Sequence, residues 1–99
     1  MAVHEAALAA MERARANVPE VIRAFMRVER VSQEHLGEAL GLRQAAVSRR
    51  LNVPGALSQE ELAAIAAFFG VPIGSFYKPW REAIRDLPEG GSVSRAIPG

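Results

Sequence analysis

The chain has no cysteine. Disulfides, thiolate-bound zinc and thiol chemistry are therefore excluded, and every residue is compatible with a reducing compartment. Histidine is nearly as scarce: His4 and His35 stand far apart, and Asp86 is the sole aspartate. His35 falls at the exposed third position of its helix with no carboxylate or partner at catalytic spacing and reads as a lone surface histidine, so no enzyme activity, metal site or cofactor is expected. Gly90-Gly91 is not part of a phosphate-binding loop. Aromatics amount to four phenylalanines, one tyrosine and one tryptophan, which suits a small core rich in Ala and Leu. Long apolar runs are missing too. Residues 62–77 carry no charge, but Gly70, Pro72 and Gly74 interrupt them, which fits a buried helix and turn better than a membrane span. His4, Glu5 and Glu12 stand where a secretory leader needs an apolar run, so none is expected.

What is present is 99 residues, about half of them apolar, with a net charge of +1. That length supports one domain with a single modest core. The net charge by itself says nothing about partners. Its distribution says more: Arg43, Arg49 and Arg50 fall in a stretch without any acid, and Glu60 and Glu61 follow at the next helix start.

The chain is organised around residues 33–52, QEHLGEALGLRQAAVSRRLN. Ser32 is an N-cap, its hydroxyl placed to accept a free N–H of the first helical turn. Leu36, Ala39 and Leu40 recur at helical spacing as one buried stripe. Gly41 follows where a helix end requires positive φ, and Leu42 plugs the turn. Val47 and Leu51 begin a second apolar stripe. The small residues Gly37 and Ala39 allow the two helices to approach closely, as in a helix-turn-helix.

Around this centre the chain reads as helices throughout. Residues 2–16 are alanine-rich and form a helix with a stripe through Val3, Ala7, Ala10 and Ala14 and with Leu8 and Met11 beside it. That helix is expected either to lie on the outside of the globule, to bind a partner or second copy, or to be an arm ordered on its ligand. Asn17-Val18-Pro19 reads as a break and restart, with Pro19 at a first helical position. The helix over 19–30 buries Ile22, Phe25 and Met26, with Val18, Val21 and Val28 alongside, and carries Arg23, Arg27 and Arg30 on a solvent face. Val53-Pro54-Gly55 is a loop. Ser58 and Glu61 form a capping box opening a helix that buries Leu62, Ile65, Ala66 and Phe69 and ends at Gly70. A short turn through Ile73, Phe76 and Tyr77 adds aromatic core. A last helix over 79–87 sets Trp80, Ile84 and Leu87 on one side, and the Gly-, Ser- and Pro-rich remainder reads as a flexible tail. The expected fold class is all-α, a compact bundle of about five short helices with a helix-turn-helix, plus an extra N-terminal helix. Its expected divisions are 1–17 for that helix, 18–78 for the central domain, 79–87 for the last helix and 88–99 for the tail. Neither an internal repeat, strand alternation nor a coiled-coil heptad is read.

The segments SQEHLGEALGLRQAAVSRRLN (32–52) and SQEELAAIAAFFGVPIGSFY (58–77) resemble the lambda-repressor/Cro-like (xenobiotic-response-element type) helix-turn-helix family. The resemblance covers residues 18–77. Gly37 departs from the commoner alanine, Arg50 from a usually apolar position, and Val53-Pro54 from a glycine directly after Asn52. Leu51 is expected to take the inward role and Arg50 to lie along the surface, its stem covering the core.

The resemblance implies a sequence-specific regulator of transcription that binds double-stranded DNA, with helix 44–51 in the major groove. It implies Gln44 against adenine and Arg49 against guanine, both bidentate, and Ala45 against a thymine methyl. Arg43, Ser48 and Asn52 are implied for phosphates, with a base edge as the alternative, and Gln33 for a phosphate at a helix N-terminus and as a brace for Gln44. The role expected is a repressor or Cro-like regulator of phage or bacterial type, cytoplasmic and nucleoid-associated when bound. One such module reads few base pairs, so a homodimer on a palindromic operator is expected, through the N-terminal helix (Val3, Leu8, Met11) or the last helix (Trp80, Ile84, Leu87). Neither a membrane nor a small-molecule ligand is expected. The alternatives are an antitoxin-type regulator with a toxin partner, and a helix-turn-helix interaction module that does not bind DNA.

Overall fold

The structure, a computed structural model, describes residues 2–89, with Ala2 and Val3 through their backbone alone. The tail expected over 88–99 lies outside the described residues from position 90 onward, as do Gly90-Gly91 and the Val3 side chain. Five α-helices and two short 3-10 turns make up the described part, with no strand among the described residues: α1 (Ala2–Glu29), α2 (Gln33–Leu40), α3 (Gln44–Asn52), α4 (Gln59–Phe69), a 3-10 turn (Ile73–Tyr77), α5 (Trp80–Ala83) and a second 3-10 turn (Ile84–Asp86). The all-α class with a helix-turn-helix is as expected.

One expectation is corrected at the start of the chain. Residues 2–16 and 19–30 are not two helices, because α1 runs unbroken through Pro19. Proline removes the N–H that would bond the Arg15 carbonyl and crowds that carbonyl. Arg15 is exposed, so water can replace the lost donor. Tertiary contacts hold the helix on either side: Val18 is buried, and the Asn17 side chain donates 3.0 Å to the Tyr77 carbonyl. Local punctuation lost to packing. α1 ends at Arg30, whose φ of 58° is left-handed, while the Val31 N–H returns 2.8 Å to the Met26 carbonyl. That geometry usually belongs to glycine.

The second half of α1 supplies the centre of the core. Val21, Ile22 and Phe25 are completely buried. The Phe25 ring meets Phe69 edge-on at 5.4 Å and Phe76 at a tilt at 5.8 Å, tying α1 to α4 and to the first 3-10 turn. Val28, expected on this face, is exposed instead, as the helix turns it past the edge of the globule. The first half of α1 does not lie on the globule. Residues 4–8 and 10–13 are exposed, and Leu8 and Met11 retain 48% of their surface each.

α2 begins at Ser32, whose side chain accepts the His35 N–H at 3.0 Å, and ends at Gly41 with φ 71°. Leu36 and Gly37 are its buried residues. Ala39 is exposed, not part of the stripe, since it falls beyond the face that meets α3 and α4. His35, read as a surface histidine, is half-buried and meets Phe68 edge-on at 5.6 Å. α4 has both hydrogen bonds of the expected capping box and ends at Gly70 with φ 73°.

The last segment packs back on the domain. Trp80, Ile84 and Leu87 lie against the core cluster, and Trp80 sits between Arg81 and Arg27, at 5.2 and 6.0 Å. Buried Ser75 donates 2.5 Å to the Asp86 carboxylate, which also accepts Lys78 Nζ at 2.8 Å. The Lys78 and Ser75 hydrogen bonds hold the Asp86 pKa below its ordinary value.

Gly37 is where α2 and the turn come closest. A Cβ there would stand 2.5 Å from the Leu42 carbonyl oxygen and 3.3 Å from Val47 Cγ2. Helix propensity alone favours alanine by about 1 kcal/mol, whereas overpacking at such a contact costs about 2 kcal/mol. Gly37→Ala is therefore expected to lose about 1 kcal/mol of stability. A lower urea midpoint checks this, and an unchanged or higher one refutes the close-contact account.

Candidate nucleic-acid interface

α3 is held by one face. Val47 and Leu51 are buried, and Leu51 takes the inward role while Arg50 covers the edge of the core. Ala45, Ser48, Arg49 and Asn52 fall at helical spacing on the opposite side, with Arg43 and Gln44 at the N-terminal end. Arg43, Gln44, Ala45, Arg49 and Asn52 are exposed, and Ser48 is half-buried. Gln33, at the start of α2, is half-buried beside a shallow recess that Arg23, Arg27 and Leu51 also line. No hydrogen bond joins Gln33 to Gln44 among the described residues.

The helix starts differ in kind. α2 and α4 open on serines that accept an N–H from their own first turn, whereas Arg43 at the start of α3 makes no side-chain cap. The Ala46 N–H turns back 3.0 Å to the Arg43 carbonyl, which leaves the Gln44 and Ala45 N–H groups for water or an anion.

The three arginines of this stretch are not equivalent. Arg50 Nε donates 2.7 Å to Glu61, and its Nη1 donates 3.3 Å to the Ala46 carbonyl. Glu61 thereby neutralises Arg50, while Arg43 and Arg49 have no ion-pair partner among the described residues. Two free cations remain on this face rather than three. Asn52 is also engaged: its amide donates 3.2 Å to Ser48 Oγ, and its Oδ1 accepts Arg23 Nη2 at 2.6 Å. Arg23 reaches the Leu51 carbonyl as well, at 3.1 Å, satisfying an orphan acceptor at the C-terminal end of α3. The solvent role expected of Arg23 is thereby corrected to that of a clamp. The two partners are 29 residues apart in the chain, so no local pattern reveals the pairing. Arg27, flanking Trp80, and Arg30, at the helix end, do lie exposed.

A short turn between two helices, with the second buried on one face and polar on the other, defines a helix-turn-helix protein. A family model described as Helix-turn-helix matches residues 26–76, just over half of the chain. The chain belongs to this family, the lambda-repressor/Cro-like helix-turn-helix, whose members are DNA-binding regulators. No curated protein and no solved structure matches the chain significantly. No helix among the described residues is long and apolar enough to cross a membrane.

The Glu61 carboxyl lies below its ordinary pKa, first through the hydrogen bond from the Ser58 N–H and then through Arg50. Because the folded-state pKa is the lower one, this contribution is complete above the unfolded-state carboxylate range. It is lost as pH falls through the folded pKa. Urea midpoints measured down that range should therefore drop for the wild type and drop less steeply for Glu61→Gln. Parallel profiles would mean that Glu61 gains nothing from its partners.

Proposed function

We propose that the protein is a sequence-specific regulator of transcription that inserts α3, N-terminal end first, into the major groove of double-stranded DNA. The observation that carries this reading is the face of α3. Its N-terminus is uncapped, it exposes Gln44, Ala45 and Arg49, and no acid lies between Arg43 and Asn52. Gln44 suits the N6 and N7 edge of adenine, and Arg49 the O6 and N7 edge of guanine. Ala45 lies against a thymine methyl. Arg43 and Gln33 take phosphates. Ser48 and Asn52 form a pair that Arg23 orients, so their contact to the backbone is made by a fixed side chain.

A homodimer on a palindromic operator completes the reading, with half-sites about one helical turn apart. Repression by occupying a promoter requires no further part. An acid at position 44, 45 or 49 would favour the interaction module; with none there, that second reading has no specific support. An antitoxin role would keep the same DNA face and add a toxin partner.

Selection from a random duplex library, followed by binding of the winner at about 50 and 200 mM salt, tests the proposal. A palindromic winner with steep salt dependence is expected. Gln44→Ala and Arg49→Ala should each lose about 1–3 kcal/mol and relax one position, whereas Arg43→Ala should weaken all sequences alike and flatten the salt slope. Binding that stays at the non-specific level of ~10⁻⁴–10⁻⁶ M, with no selected motif, sinks it.

A further inference from the structure

The C-terminal end of α3 is governed from outside the helix-turn-helix pair. Arg23, in the second half of α1, is half-buried and lines a recess with Met26, Val31 and Leu51. Its Nη2 donates to two acceptors, the Leu51 carbonyl at 3.1 Å and Asn52 Oδ1 at 2.6 Å. No carboxylate pairs with Arg23 among the described residues, Glu20 one turn earlier included, so its charge is directed at these two oxygens. A guanidinium has donors only. The Asn52 amide therefore has one orientation, oxygen toward Arg23 and Nδ2 away from it. Nδ2 in turn donates 3.2 Å to Ser48 Oγ. That hydroxyl is an acceptor toward Asn52 and keeps its hydrogen, since Ser48 makes no other side-chain hydrogen bond among the described residues.

The consequence is a fixed polarity. A solvated Asn–Ser pair can present either donors or acceptors, because the amide turns and the hydroxyl rotates. Arg23 removes that choice. The outward groups become the second Nδ2 hydrogen and the Ser48 hydroxyl hydrogen, on atoms 3.2 Å apart. Two donors that close suit a single atom able to accept twice, and a phosphate oxygen accepts without donating. We propose that Arg23 is a positioning residue of the DNA interface: acting through Asn52, it makes the C-terminal end of α3 a donor-only site for one phosphate oxygen of the duplex. Arg23 itself touches no DNA. Fixing Asn52 beforehand also spares the entropy of ordering it on binding. This role rests on the DNA reading of α3 and adds α1 to it.

A double-mutant cycle on the full chain and its selected duplex tests this. Arg23→Met keeps an unbranched stem at the recess and removes the donors. Arg23→Met and Asn52→Ala should each weaken binding roughly 10-fold, and the double variant should be no weaker than Asn52→Ala alone. The salt slope should be unchanged in Arg23→Met, whereas an arginine that neutralised a phosphate itself would take about 0.9 from it. Single methylphosphonates, each replacing one charged phosphate by a neutral group, locate the oxygen: one position should weaken the wild type and leave Asn52→Ala unaffected. In the free protein, NMR relaxation should show a rigid Asn52 side-chain amide that becomes mobile in Arg23→Met. That readout requires no DNA, so the two readings fail separately. A rigid amide in a chain that selects no duplex sinks the DNA reading, and this role with it. A chain that does select a duplex but shows additive losses, a reduced salt slope, no such phosphate position or a mobile wild-type amide overturns this role alone. So does an Arg23→Met variant that melts earlier yet binds like the wild type, the mark of a purely structural clamp.

Discussion

The geometry of the whole site depends on one close approach, the Leu42 carbonyl lying where residue 37 has no Cβ. That contact lets the chain leave α2, turn within a few residues, and enter α3 with Val47 against the Gly37 backbone. With a side chain at 37 the turn would stand farther out, and Val47 and Leu51 would lose the cover that makes them buried. Everything α3 offers to solvent follows from which two of its residues are held inward. A packing constraint on the far side of the helix thus sets the near side.

Electrostatics refines that face without creating it. Glu61 closes its capping box and also holds Arg50, so one carboxylate both starts α4 and removes a positive charge from the edge of α3. Arg23 reaches across from α1 to the end of α3 and orients Asn52. The cations left without partners, Arg43 and Arg49, sit at opposite ends of the helix. The face is modestly basic and geometrically fixed, consistent with a net charge of only +1.

α1 links this site to the rest of the molecule. Its second half carries the buried rings that brace α4 and the first 3-10 turn, and its first half projects with the same apolar face uncovered. A rigid connection follows, because the helix is one element: whatever seats on the overhang is fixed relative to the core that positions α3. Pro19 is tolerated at the join, where Asn17 is fastened to Tyr77 and Val18 is buried.

Much of this was legible in the chain because the signals are local. Ser32, Gly41, Ser58 with Glu61, and Gly70 each set a helix end through their own backbone or side chain, and all four behave as read. The inward roles of Leu36, Val47 and Leu51 follow from helical spacing alone. The misreadings share a different cause. Local spacing predicts a break at Pro19, burial of Ala39 and Val28 and a solvent charge at Arg23, although each depends on what lies across the fold. The sequence by itself determined the helices, their caps and the polar set on α3, since those rest on neighbours within a turn or two. The tertiary structure alone decided that α1 is continuous, which two of the three arginines stay free, and that the close approach is made at Gly37 rather than Ala39. Those outcomes are energies of contact between residues distant in the chain, and no local pattern encodes them.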